Sequence, residues 1–147
     1  MMNPQQIDKQ RDGCVSNPVV KHLAHVLLFS STDDNGTPLD TNYSICDFDV
    51  SDLDRLYLEF QTFIDKAEEL VTAKVGGDWE TLEDFYLYPG SDGCVEHDFI
   101  FTRNRHGVGF WENGRWLSPV GEILDTLATS FAEVYCYVGD DGKLHIA

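Results

Sequence analysis

A chain of 147 residues with 42% hydrophobic and 12% aromatic content is long enough to bury one core without disulfides or metal, and too apolar to be a disordered polyanion. Its 26 Asp and Glu against 10 Lys and Arg set a formal charge of −16, beyond the magnitude of roughly 2–8 that keeps a small domain in solution. That balance disfavours direct binding to nucleic acid or to an anionic membrane, and it points to basic surfaces, including those with which other proteins hold nucleic acid.

Residues 1–16 are polar and without period, which predicts a flexible arm ahead of a single acidic α+β domain over 17–147. The four cysteines, Cys14, Cys46, Cys94 and Cys136, form no CxxC pair. With no leader-like or membrane-length apolar run, the expectation is four reduced thiols in a cytoplasm, with no metal and no cofactor. Asn17-Pro18 then places a cap before a helix-starting proline, and Val19, Val20, Leu23, Ala24, Leu27 and Leu28 recur at helical spacing, predicting a helix over 18–30. His22 and His25 ride on it as surface or boundary residues.

Residues 30–49 are loop chemistry, with a turn at Asp33-Asp34-Asn35-Gly36 and Thr37-Pro38 excluding helix. An EF-hand frame fails there, because Gly36 at loop position 6 leaves Asn42 where the bidentate Glu is required. A long helix over 51–75 follows, capped by Ser51 and stopped by Gly76-Gly77, with Leu53, Leu56, Tyr57, Phe60, Phe63, Ile64, Ala67, Leu70 and Val71 on its apolar stripe. A short helix is predicted over 79–87.

The segment 97–112 reads as a β-hairpin: His97, Phe99 and Phe101 alternate with Asp98, Ile100 and Thr102, and Val108 to Trp111 returns after an Asn-Arg-His-Gly turn. Ser118-Pro119 opens a helix over 119–131 on Val120, Ile123, Leu124, Leu127, Ala128 and Phe131. Runs at 134–138 and 143–146 flank Asp141-Gly142, a type I′ signal. The fold expected is α+β, three main helices on a four-stranded antiparallel sheet with a ββαββ C-terminal half.

Phosphate loops, nucleophile elbows and zinc-protease helices are absent from the sequence. The remaining polar constellation is His97, Asp98, Arg103, Asn104, His106 and Trp111. On a strand His97 and Asp98 face opposite ways. Arg103, Asn104 and His106 are therefore expected to form a structural cluster holding the hairpin against Asp33, Asp40 or Asp98, with Trp111 in the core. The alternative is a ligand or catalytic site using His97, Arg103 and His106.

The runs His97-Asp98-Phe99…Thr102-Arg103-Asn104-x-His106-Gly107-x-Gly109-Phe110-Trp111-Glu112, Ser30-Ser31-Thr32-Asp33…Leu39-Asp40-x-Asn42-Tyr43-Ser44 and Tyr137-Val138-Gly139-Asp140-Asp141-Gly142-Lys143 resemble a family of small acidic proteins encoded by bacteriophages and mobile elements. The resemblance implies phage origin and a host bacterial cytoplasm, and it carries no catalytic assignment. Three stretches, Lys21 to Arg55, Lys74 to Arg103 and Arg115 to Lys143, contain acids and no internal base. The sequence therefore predicts a non-enzymatic inhibitor that imitates DNA, in the manner of antirestriction or anti-CRISPR proteins, and engages a host protein's nucleic-acid-binding surface. Its contacts would be Asp33, Asp34, Asp40, Asp47, Asp49, Asp52, Asp54, Asp78, Glu80, Glu83 and Asp84. The alternatives are a small phage enzyme or ligand-binding module and a soluble virion or replication accessory protein; the oligomeric state is left open.

Overall fold

The computed structural model describes residues 13–88, 93–105, 109–112 and 114–147. Among them the chain forms four α-helices, three short 3-10 turns and a two-stranded antiparallel sheet. Two compact units result, one from residues up to Tyr57 together with Tyr135–Ala147, the other from Leu58–Val134.

In the first unit, helix α1 (Pro18–Ser30) starts where expected, because the Asn17 side chain accepts from the Val19 and Val20 amides at 2.9 and 3.3 Å. Leu23, Ala24, Val26, Leu27 and Leu28 are buried, and α1 meets the 3-10 turns Leu39–Thr41 and Ile45–Asp47, whose Leu39 and Ile45 are also buried. Of the expected arm, residues 1–12 lie outside the described residues. Cys14 forms a disulfide with Cys46, so the expectation of four reduced thiols is corrected; Cys94 and Cys136 remain free. Partners 32 residues apart leave no local spacing signal.

Helix α2 (Val50–Val75) is the long helix, but its cap is Asp49 and not Ser51. The Asp49 carboxylate accepts from the Ser51 hydroxyl at 2.5 Å and the Asp52 amide at 3.2 Å. The chain's last residues complete this unit as strands β1 (Cys136–Val138) and β2 (Leu144–Ile146), with Tyr137 opposite His145. Gly142 has φ +80° and its amide donates to the Gly139 carbonyl at 3.0 Å. Asp141 does not share the positive φ, so the connection is a type I turn followed by a left-handed glycine rather than the type I′ turn expected.

The second unit holds the rest of α2, a 3-10 turn at Leu82–Phe85 in place of the helix expected over 79–87, α3 (Cys94–Arg103) and α4 (Val120–Thr129). Its core is aromatic. The Phe63 ring lies 4.7 Å from Phe99, 5.7 Å from Phe110 and 6.1 Å from Phe131, and Phe110 continues the chain of rings to Trp116 at 5.3 Å.

The first predicted hairpin does not form. Residues 97–103 are helical, the expected returning strand over 108–112 has no strand among its described residues, 109–112, and the four-stranded sheet reduces to β1 and β2. Eight of the ten α3 residues are buried, among them Glu96, Asp98, Thr102 and Arg103. Polar residues therefore occupy core positions, and the alternation of polar and apolar that mimics a strand does not track exposure. Among the described residues no helix is long and apolar enough to cross a membrane.

Candidate functional site

Buried polar residues on α3 anchor a hydrogen-bond network in the second unit. Asp98 has no exposed surface and spends both oxygens internally. Trp116 Nε1 and Arg115 Nε donate to Oδ2 at 2.7 and 3.2 Å, while Arg115 Nη2 and His97 Nδ1 meet Oδ1 at 2.6 and 2.8 Å. The expected separation of His97 from Asp98 is thus corrected: on a helix consecutive side chains diverge by about 100° rather than pointing to opposite faces. His97 also stacks on Phe101 at 4.1 Å.

Arg103 is buried, with Nη2 on Glu59 at 2.7 Å, Nε on the Ala132 carbonyl at 2.8 Å, and its guanidinium over the Phe99 and Phe131 rings. Asn104 Oδ1 accepts from the Val134 amide at 2.8 Å. Arg103 and Asn104 do hold the structure together, but against Glu59 and residues 132–134 rather than Asp33, Asp40 or Asp98. His106 lies outside the described residues. Trp111, expected in the core, is 56% exposed, whereas Trp116 takes the core position because its indole N–H has a buried acceptor.

The acids singled out from sequence differ in engagement and in exposure, and Asp84 is both engaged and exposed. Several are engaged locally: Asp33 accepts from the Asn35 and Thr37 amides, Asp47 from the Ser44 amide, Asp49 caps α2, and Asp84 accepts from the Glu80 and Thr81 amides. Asp52 is 9% exposed, accepts from the Ile146 amide at 3.0 Å and pairs with Arg55 at 3.2 Å and His145 at 3.1 Å. Exposed carboxylates are Asp34, Asp40 and Asp54 in the first unit and Asp78, Glu80, Glu83 and Asp84 in the second.

His145, which sequence reasoning passed over, sits between Asp52 and Asp141, with Nε2 at 3.0 Å from Asp141. The Asp141 carboxylate above all raises the imidazole's pKa, while Asp141 itself is lowered, mainly by the Lys143 amide and then by His145. Ligand atoms of Asp49, Asp52 and His145 lie within 4.8 Å of one another. Asp52 and His145 already serve hydrogen bonds that lock β2 to the start of α2, and the Asp49 carboxylate caps α2, so a cation would have to displace those bonds.

The second unit also carries an open groove of about 630 Å³. Leu70, Ala73 and Lys74 of α2 form one wall. Glu122, Ile123, Thr126 and Leu127 of α4, with Pro119 and Ser130 at its ends, form the other. Glu122 also borders a smaller recess of about 180 Å³, where Phe110, Trp111 and Trp116 stand with Glu112 and Asp125. Burial raises the Asp125 carboxyl, and no hydrogen bond or ion pair partners it among the described residues. The signal in sequence was the breadth of the α4 stripe: Leu124 and Ala128 are fully buried, while Ile123 and Leu127 are left half-exposed in the groove. No family model, curated protein or solved structure matches the chain.

Proposed function

We propose that this chain is a non-enzymatic, phage-encoded acidic protein that engages a basic, nucleic-acid-binding surface of a host protein and blocks it. The observation that supports this reading most is the disposition of charge. Asp34, Asp40 and Asp54, and separately Asp78, Glu80, Glu83 and Asp84, are exposed in runs without a basic residue. Meanwhile Arg55, Arg103 and Arg115 are paired with the chain's own carboxylates. The excess of negative charge therefore faces outward, where duplex DNA presents about one charge per 1.7 Å of axis.

A reading as an enzyme or ligand module using His97, Arg103 and His106 needs groups that converge on an open cavity. Asp98 is sealed and Arg103 is buried against Glu59, which counts against it. The test is capture from host lysate by the immobilised chain, at low and high salt and with competing duplex DNA. A nucleic-acid-binding protein that DNA displaces is the expected result. Capture that survives Asn and Gln replacement of Asp34, Asp40, Asp54, Asp78, Glu80 and Glu83 would defeat the proposal.

A further inference from the structure

The groove between α2 and α4 has the dimensions and chemistry of a helix-binding site. From Pro119 to Ser130 its α4 wall runs at steps of three and four, and at about 1.5 Å per residue this is roughly 16 Å, or three helical turns. Ile123 and Leu127 line it together with Leu70 and Ala73. At Glu122 the groove adjoins the recess in which Trp111 and Trp116 stand with Glu112 and Asp125, and among the described residues no basic one lines that recess. Aromatic faces and the partly desolvated Asp125 carboxyl, which has no counter-charge among the described residues, are complementary to a Lys or Arg side chain.

We propose that this groove receives an amphipathic helix of a partner protein, its apolar stripe lying between Leu70 and Leu127 and a Lys or Arg on its flank entering the recess beside Trp111, Glu122 and Asp125. The proposal rests on the reading of a basic partner and adds how that partner is held: by a patterned helix rather than by charge alone. A second copy of this chain is a poor occupant, because two bodies of charge −16 repel.

The test uses a fluorescein-labelled 15-residue peptide of Leu, Lys and Ala with leucines at helical spacing and lysines flanking them. An isomer of identical composition with leucines scattered round the helix, and a version with Glu for Lys, serve as comparisons. Anisotropy titration of the full chain is expected to show the patterned peptide binding about tenfold or more tighter than the scattered isomer, with no binding of the Glu version. Leu127→Glu, which puts a charge on the apolar α4 wall, should weaken binding about tenfold, and Asp125→Asn a few-fold, with melting curves confirming the fold. Should Leu127→Glu fail to fold, Thr126→Arg at the exposed rim provides the same block.

Equal binding of the two lysine isomers, or unchanged binding by the folded groove variants, would overturn the groove. If that equal binding disappeared on neutralising Asp34, Asp40, Asp54, Asp78, Glu80 and Glu83, the charge reading would survive without the groove. Dimers of the chain that the patterned peptide cannot dissociate would likewise overturn it.

Discussion

Asp98 shows how a single residue misleads a pattern and then holds the fold. Its carboxylate is desolvated but accepts from Arg115, Trp116 and His97, so the burial cost is offset only while the partners stay. Arg115→Ala should therefore cost about 3 kcal/mol, read as a lowered urea midpoint, because it removes two of the hydrogen bonds to a buried carboxylate and the guanidinium charge set against it. His145 gives a signed pH dependence. Its pKa is raised, so its contribution is complete below the ordinary histidine value of about 6.5 and is lost as pH rises through the folded value. Asp141, lowered mainly by the Lys143 amide, and Asp49, lowered mainly by the Ser51 hydroxyl, act oppositely. Their contributions are present above the ordinary carboxylate value of about 4 and are lost as pH falls through the lowered ones. His145→Gln should lower the melting temperature more at pH 5.5 than at pH 8.5; a gap independent of pH would refute the assignment. Burial pushes the Cys94 and Cys136 thiols up to about 12, so both should resist iodoacetamide at pH 8 until the chain unfolds.

At the level of elements, α1, α2 and α4 were legible because each combines an end signal with a stripe at the helical period. Helix α3 was not. Its core-facing Asp98 and Arg103 are polar, so His97 to Arg103 reads as alternation although the segment is buried on nearly every side. The turn after it is equally specific: a Cβ on Gly109 would stand 2.4 Å from Thr102 Oγ1, the atom that accepts from the Phe110 amide. Gly109→Ala should cost about 1–3 kcal/mol in thermal or urea unfolding, and a neutral effect would show that this turn yields. The candidate site was legible only in part. The acids could be listed, but Asp33, Asp47, Asp49 and Asp52 are committed to turns, caps and β2, and which carboxylates remain outward depends on hydrogen bonds that spacing does not reveal.

For the whole molecule, the disulfide closes a loop between residues 32 apart, which by loop entropy stabilises the oxidised chain by roughly 3–4 kcal/mol. Reduction should lower the melting temperature, and Cys14→Ser should reproduce the shift. The division of the chain has a further result for its synthesis. Leu58–Val134 is one unbroken stretch, whereas the other unit needs the first part of the chain and Tyr135–Ala147 together. On a ribosome adding about 5–20 residues per second, Asp52 must wait roughly 5–20 seconds for His145, 93 residues later, to emerge. The middle of the polypeptide can therefore acquire its native form while the beginning is still unfinished, and nascent chains halted after Val134 should show protease resistance in the middle before the beginning has acquired its own.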